Sequence, residues 1–99
     1  MDAGNAFEST MKTICDFRTW QYPVGAAASG LIRLLVQQGL VEDYYENILI
    51  GLATLRNKTT GAHGQGGQPV TIPQHVAAHG LHLAAANIVF LMEAHQATP

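Results

Sequence analysis

The hydrophobic positions of this chain recur with the period of an α-helix, and no segment alternates apolar and polar residues long enough to form a strand. In the first segment, Phe7, Met11, Ile14 and Cys15 stand at i, i+4, i+7 and i+8, so they line one face of a helix. This stripe predicts an amphipathic helix over about residues 4–18.

A second helix is predicted between Pro23, which restricts the backbone, and Gly39, which allows conformations that other residues avoid. Pro23 suits the first turn of a helix, because its fixed φ and missing N–H cost nothing there. Gly39 suits the position that ends a helix after Gln38. The small residues from Gly25 to Gly30 would allow the backbone of a neighbouring helix to approach closely.

A third helix is predicted from apolar residues at helical spacing between Tyr45 and Leu55. Acidic residues stand near its start, where negative charge stabilises a helix: Glu42, Asp43 and Glu46. Cations suit the opposite end, so we expect the helix to end near Arg56 or Lys58.

A loop is predicted from Asn57 to Thr71, because this segment has four glycines and no apolar period. A fourth helix follows, with Pro73 in its first turn and an end near Gln96. It is apolar over so broad an arc that we expect it to be buried on more than one side, in its own bundle or against a second copy. The pattern predicts one all-α domain over residues 1–99, a four-helix-type bundle with a long glycine-rich loop between helices three and four.

The composition fits a single globular domain with an unusually small share of charge. Hydrophobic residues make up 47% of the 99 residues and charged residues only 12%, about half of the usual share of about 25%. Such a surface favours a partner, and we expect a homodimer because a second copy is the commonest partner. The net charge of −2 excludes strong sequence-independent binding to nucleic acid, so any contact with RNA would be local.

The sequence indicates a cytoplasmic protein without a membrane helix. Cys15 is the only cysteine, so the chain can form no internal disulfide. Asp2 and Glu8 stand where a signal peptide would be basic and then apolar. The longest nearly unbroken apolar run, residues 83–92, is about half of the roughly 20 residues that cross a membrane.

Candidate chemistry lies around the predicted end of helix three. Arg56 carries a permanent charge on a planar fork that suits phosphate, and His63 can take or give a proton near neutral pH. Together these two side chains are sufficient to cleave RNA without a metal. The spacing alone favours a structural interpretation, in which Arg56 ends the helix and pairs with Glu46 or Glu93, and His63 bonds to the backbone of a glycine-rich turn.

The segment LRNKTTGAHGQG, residues 55–66, changes this balance because it closely resembles the signature of the abortive-infection C-terminal (Abi-C) family of the HEPN superfamily. Weaker similarity extends to NAFESTMK at residues 5–12 and to AAANIVFL at residues 84–91. The resemblance therefore covers nearly the whole chain.

The resemblance implies a dimerising helical bundle that cleaves RNA without a metal or other cofactor, in phage defence (abortive infection) or a toxin system. Carried onto this chain, it implies a composite catalytic site at the homodimer interface. There Arg56 would bind and stabilise the phosphate, His63 would act as acid or base, and Asn57 would orient them. We expect Lys58 and Gln65 to contact the RNA. Such domains often end longer proteins, so an upstream domain or a partner protein is also expected.

A second function from another class remains open. Several HEPN domains act as non-catalytic modules, so the alternative is a dimerisation or sensor module that regulates an attached or partner domain. One departure from related toxins concerns regulation: some carry a tyrosine two residues after the histidine, which a partner enzyme modifies, whereas this chain has Gln65 there.

Three histidines on the fourth helix offer a third function, a metal-binding helical module. His75, His79 and His82 stand at i, i+4 and i+7, and a pair at the first of these spacings can bind zinc. No cysteine stands nearby and no glutamate stands between the first two, so we favour a polar edge facing the loop or the RNA site over a metal site.

Two other features have structural interpretations that outweigh the functional ones. The glycines of residues 64–67 lack the preceding strand and the Gly-Lys-Ser/Thr ending of a nucleotide-binding loop. The aromatic side chains could stack on bases but are more often part of a core or interface; these are Trp20, Tyr22, Tyr44 and Tyr45.

Overall fold

A computed structural model describes residues 3–59 and 71–99 of the protein. Within these ranges the chain forms four helices: α1 (Ala3–Phe17), α2 (Ala28–Gln37), α3 (Tyr45–Thr59) and α4 (Gln74–Ala97). Neither range contains a strand. The all-α prediction is confirmed, whereas most of the predicted glycine-rich loop lies outside the described residues.

The first helix matches its prediction in position and in the face that it buries. Phe7, Met11, Ile14 and Cys15 are all buried. The helix ends where Thr19 adopts the left-handed backbone conformation, with φ of 61°. The N–H of Trp20 then donates to the carbonyl of Cys15 at 2.8 Å, which satisfies an acceptor that the end of the helix would leave open.

The prediction that α2 begins at Pro23 is wrong, because the helix begins at Ala28. Pro23 instead starts a turn, in which the N–H of Ala26 donates to its carbonyl at 3.0 Å and Gly25 has φ of +80°. Gly25 occupies the third position of this turn, where a positive φ is required and glycine is favoured. No helix approaches the two glycines of the small segment closely, since a Cβ added at Gly25 or Gly30 would meet no atom within 4 Å, whereas Ala26 and Ala28 pack against the core.

The predicted end of the second helix is confirmed. Gly39 has φ of +78°, and its N–H donates to Val36 while the N–H of Leu40 donates to Leu35, both at 3.0 Å. These two bonds form a Schellman motif, which only a residue tolerant of positive φ supports without strain.

The third helix ends at Thr59, one residue after Lys58, the later of its two predicted ends. Residues 57–59, expected in the loop, continue α3 to Thr59, because no glycine or proline interrupts the chain before Gly61. At its start, the carbonyls of Glu42 and Asp43 accept the N–H groups of the first helical residues. Glu46 lies in the first turn, as predicted, and pairs with Arg33 at 3.4 Å.

The fourth helix begins directly after Pro73, which occupies the capping position rather than the first turn. It packs against both α1 and α3, and its length and composition would be enough to cross a membrane, with 17% of its most apolar window buried. The uncharged segment is longer than the apolar run of residues 83–92, because uncharged residues extend it on the N-terminal side to Gln74, whereas Glu93 ends it on the other side.

The core forms where the four helices meet. Apolar residues from every helix and from the connection after α2 are buried in it: Phe7, Met11, Ile14, Cys15, Leu31, Ile32, Leu35, Leu40, Val41, Leu49, Leu52, Ala84 and Leu91.

Candidate functional site

The backbone of α3 carries three of the five predicted site residues. Arg56, Asn57 and Lys58 all lie in the last turn and a half of this helix. Arg56 follows the buried residues Leu49 and Leu52 by seven and four positions, so its Cα continues the register of the buried stripe. The side chains of the three site residues lie outside the part of the chain that the structure describes.

The end of α3 that bears Arg56 lies beside the first half of α4. The two helices are antiparallel, since the rings of Tyr45 and Phe90 stack with centroids 4.4 Å apart near one end. Near the other end, a Cβ added at Gly80 would lie 3.3 Å from Cδ2 of Leu55. The missing side chain of Gly80 thus leaves room for Leu55, and this contact fixes where the Arg56 backbone lies relative to α4.

His63 and Gln65, the other two predicted site residues, fall among residues 60–70 and lie outside the described ranges. The convergence of His63 with Arg56 therefore stays a prediction. His63 belongs to the connection between the end of α3 and the start of α4. Both of these helix ends lie at the end of the bundle where Arg56 is found.

His75, His79 and His82, the histidines in the first half of α4, are exposed and lie near the same end of the bundle. His79 is the immediate neighbour of Gly80, the residue that contacts Leu55. Among the described residues, no three His, Cys, Asp or Glu side chains are grouped closely enough to hold a metal ion. His75 and His79 would supply two ligands, whereas structural zinc sites take four.

A different arginine and histidine meet at the opposite end of α4. Nε of Arg18 donates to Nδ1 of His95 at 2.8 Å. Nη2 of Arg18 donates to the carbonyl oxygens of His95 at 2.8 Å and of Thr98 at 2.6 Å, and Nη1 donates to that of Pro99 at 3.2 Å. Because Nδ1 of His95 accepts, the proton of its neutral ring is on Nε2.

This second pair has a structural role. The guanidinium of Arg18 satisfies carbonyls at the C-terminal end of α4, where a positive charge also stabilises the helix dipole. Most of its donors are used in these bonds, which leaves little capacity for a phosphate. Sequence reasoning missed the contact because Arg18 and His95 are 77 residues apart, and no periodic pattern links them.

The aromatic residues mainly support the structural interpretation. Tyr45 stacks on Phe90, and Trp20 and Tyr22 pack against the core. Tyr44 is the most exposed of the four, at 68%, and its ring tilts against that of Tyr45.

Cys15 and Tyr22 are not activated for chemistry. Burial, together with the negative charge of Asp16, raises the pKa of the Cys15 thiol, which disfavours the reactive thiolate. The hydroxyl of Tyr22 donates to Asp16 at 2.9 Å, and this bond to the protonated form is the main reason that the pKa of Tyr22 is raised.

Asn87 is a buried polar residue that sequence reasoning placed within the apolar run without giving it a role. Its side chain is 5% exposed, and its amide nitrogen has no hydrogen-bond partner. It follows the buried Ala84 by three positions and precedes the buried Leu91 by four, so it belongs to the face that α4 turns toward the core.

A cavity of about 440 Å³ lies away from the candidate site, along the connection from α1 and the outer face of α2. Pro23, Ala26 and Gly30 are among its lining residues, and its one charged residue, Arg33, already pairs with Glu46. The cavity therefore offers mainly apolar contact.

Comparison with known proteins identifies the family. No curated protein and no solved structure matches the chain. The family model Abi_C, described as a HEPN-like domain, matches residues 1–95. This range includes all four helices almost completely as well as Arg56, Asn57 and the segment containing His63. The chain belongs to the Abi_C family of HEPN-like domains.

Proposed function

We propose that this HEPN-like domain is a metal-independent endoribonuclease that acts in the cytoplasm, in phage defence or a toxin system. The observation that carries the proposal is the match to the Abi_C family over residues 1–95, together with an Arg-Asn pair at the end of α3 and a histidine in the connection that follows. The end of α3 and the start of α4, which flank that connection, lie at the same end of the bundle.

The reaction is an internal transfer at phosphorus. A base removes the proton of a ribose 2′-hydroxyl, the freed oxygen attacks the adjacent phosphate, and the bond to the 5′-oxygen of the next nucleotide breaks while an acid protonates that oxygen. The products are a 2′,3′-cyclic phosphate and a 5′-hydroxyl. Arg56 stabilises the charge on the phosphate oxygens, and His63 supplies the base or the acid.

The neighbouring polar residues bind and orient the substrate. Asn57 holds the reacting groups in position, and Lys58 and Gln65 contact the RNA. With a net charge of −2 the chain lacks a general attraction for polyanions. Binding therefore depends on these few contacts and weakens with added salt in proportion to the small number of phosphates contacted.

A second proton-transfer group has two possible sources. The family resemblance implies a composite site, in which a second copy contributes its own set of residues. The fold offers another source within one chain, because His79 lies next to the α3–α4 contact at Gly80 and Leu55. Single substitution of His79 by Ala distinguishes the two, since only the second source predicts loss of cleavage.

The test is cleavage of mixed cellular RNA by the purified protein in EDTA, with analysis of the product ends. Wild type is expected to leave 2′,3′-cyclic phosphates, while Arg56→Ala and His63→Ala lose cleavage by about 100-fold or more. Arg33→Ala is the matched control, because Arg33 is an exposed arginine that pairs with Glu46. Equal cleavage by all four proteins would indicate a contaminating nuclease and contradict the proposal.

The alternative is a non-catalytic dimerisation or sensor module. The observation that favours it is the apolar outer face of α4, where Leu81, Val89 and Met92 are each at least 50% exposed. A folded protein that cuts no RNA under any of these conditions, and that assembles through this face, would support the module and direct the search to its partner.

A further inference from the structure

Three exposed histidines occupy one face of the first half of α4. We define the histidine face as His75, His79 and His82, all of which are exposed. At about 100° and 1.5 Å per residue, the three positions fall within about 60° of the helix circumference and span about 10 Å along its axis. From Gln74 to Met92 the helix has no Asp, Glu, Lys or Arg. Histidine is therefore the residue type that can place charge on this part of α4.

The histidine face lies on the outer side of the pair formed by α3 and α4. Gly80 and Phe90 mark the direction from α4 to α3, and the histidine face is turned by about 90° from it, away from the buried side of α4. On α3, Tyr45 and Leu55 mark the direction to α4. The position of Lys58 is turned by about 100° from that direction, also away from the buried side. The histidine face and the Lys58 position therefore lie on the same side of the pair, at the same end of the bundle.

Negative charge is concentrated at the opposite end of the bundle. The end of α1 meets the end of α4 there through the bond of Arg18 to His95. The start of α3 joins the same half of α4 through the stacking of Tyr45 on Phe90. Of the six acidic residues in the described ranges, five lie in this half: Asp16, Glu42, Asp43, Glu46 and Glu93. Glu93 has the direction of the histidine face, but it stands about 16 Å along the axis from the nearest histidine, twice the Debye length of about 8 Å at physiological salt.

The charged residues nearest in space on the other two elements that pack against α4 do not place a carboxylate on this side. On α1, Glu8 and Lys12 stand about 180° and 140° around the helix from Phe17, whose ring contacts α4. On α3, the charged residues of the last turns are Arg56 and Lys58. The charges beside the histidine face are therefore cationic.

Acid changes the balance of charge at this end of the molecule. Histidine changes its charge between about pH 5 and 8. Protonation of all five histidines changes the net charge of the chain from −2 to +3, and three of these charges fall on the histidine face. A protonated imidazole donates two N–H groups and makes strong hydrogen bonds to phosphate oxygens.

We propose that the histidine face is a pH-dependent binding surface for the backbone of RNA, continuous with the candidate site through the Lys58 position. The proposal rests on the proposed function in taking RNA as the ligand, and it deepens that function by naming where the strand lies outside the site. The bound phosphates favour the protonated imidazoles, so the affinity for RNA rises as the pH falls from neutral. Near neutral pH the face carries little charge, and binding depends on the few cations near Arg56.

The first test is binding of a 2′-O-methyl RNA oligonucleotide, measured by fluorescence anisotropy in EDTA at about pH 7.5 and about pH 5.5. The methyl group blocks the attacking hydroxyl, so the probe stays intact, and EDTA removes metal ions that could link histidine to phosphate. Wild type is expected to bind about 10-fold or more tightly at the lower pH, because each protonated histidine adds a phosphate contact. The slope of log affinity against log salt is also expected to steepen by about 2, since each contact adds about 0.7.

The triple variant His75→Gln, His79→Gln and His82→Gln keeps polar side chains and removes the three charges. It is expected to lose most of the rise in affinity. His95→Gln is the matched control, because His95 is the described histidine at the opposite end of the bundle, and it is expected to keep the rise. Circular dichroism at both pH values checks that each variant keeps the helical content of wild type. An equal rise in the triple variant would overturn the proposal, as would a wild-type affinity that does not change with pH.

The second test separates the position of the charge from its amount. Lysine at all three positions of the histidine face is expected to give tight binding already at about pH 7.5, because lysine is charged there. The control variant has the same net charge but carries its three lysines at exposed positions of α2 and α3: Ser29, Gln37 and Asn47. Equal affinity of the two variants would show that total charge governs binding and would contradict a specific surface.

Cleavage of unmodified RNA distinguishes failure of this proposal from failure of the proposed function. Binding that depends on the histidine face, without cleavage, would refute the ribonuclease and leave the surface intact. Cleavage by a protein whose binding is the same in wild type and the triple variant would keep the ribonuclease and refute the surface.

Discussion

At the scale of single residues, the structure shows how an arginine and a histidine come together for a purely structural purpose. Arg18 joins the end of α1 to the last turn of α4 through four hydrogen bonds, one of them to the ring of His95. Its guanidinium also lies 5.4 Å from the ring centroid of Trp20. An arginine bonded in this way contributes to stability. The presence of Arg56 and His63 in the sequence therefore does not by itself establish catalysis, and RNA cleavage has to be measured.

Arg18→Gln is expected to lower the free energy of unfolding by about 2 kcal/mol, because it removes several hydrogen bonds from a charged donor. Arg18→Lys is expected to recover only part of this loss, since an ammonium cannot reproduce the planar fork. Arg33→Gln is the control, because it removes one exposed ion pair, which contributes at most about 1 kcal/mol. Urea denaturation measures the free energy of unfolding of all three variants. Equal losses in Arg18→Gln and Arg33→Gln would contradict the stabilising role of the Arg18 hydrogen bonds.

Asn87 represents the opposite case, a polar group that the core does not satisfy. Its amide nitrogen is buried without a partner, which costs about 1–3 kcal/mol of desolvation. Asn87→Leu has a similar size and is expected to raise the free energy of unfolding by about 1 kcal/mol. Asn47→Leu, at an exposed position of α3, should change it by no more than about 0.5 kcal/mol. A clear loss of stability in Asn87→Leu would show that the amide makes a bond that the apolar side chain cannot replace.

At the scale of whole elements, helical periodicity predicted the position of α1 and the four buried residues of its stripe, because burial on one face leaves a pattern within the sequence. The start of α2 could not be found in the same way. Proline at position 23 fits both a helix and a turn, and the left-handed conformation of Gly25 decides for the turn. Gly39 was informative because glycine strongly favours the position after a helix end.

Two helix ends allow a paired prediction, because Thr19 and Gly39 both adopt positive φ after a helix. Thr19→Gly is expected to raise the free energy of unfolding, and Gly39→Ala to lower it, each by about 1 kcal/mol. No atom lies within 4 Å of a Cβ added at Gly39, so the loss reflects backbone conformation alone. Gly30→Ala is the control within α2. A Cβ at Gly30 also meets no atom within 4 Å, but the backbone there is helical, so this substitution is expected to raise the free energy of unfolding. Thermal unfolding of the three variants tests the signs, and a stabilising Gly39→Ala would contradict the argument.

At the scale of the whole molecule, the sequence predicted the family, whereas the residues of the candidate site stay a prediction. The motif around Arg56 and His63 identified the family because residue types at fixed spacing can be read directly. The position of the Arg56 backbone beside α4 follows from the packing of Leu55 next to Gly80, two residues with no periodic relation. Similarly, the breadth of the apolar arc of α4 was visible in the sequence, but only the packing against α1 and α3 shows which part of it stays exposed.

The composite site that the family resemblance implies predicts recovery of cleavage when two inactive variants are mixed. Arg56→Ala and His63→Ala are each expected to lack cleavage. If one copy supplies Arg56 and the other supplies His63, half of all dimers formed after exchange contain both variants and have one intact site of two, so about a quarter of wild-type cleavage is expected to return. A site completed within one chain would give no recovery, because no chain in the mixture carries both residues, and that result would contradict the composite site. The measurement is the rate of RNA cleavage after the two proteins are mixed, diluted below the dimer dissociation constant and reconcentrated, which allows the copies to exchange. Wild type mixed with His63→Ala serves as the control and should give half of the wild-type rate at equal total protein.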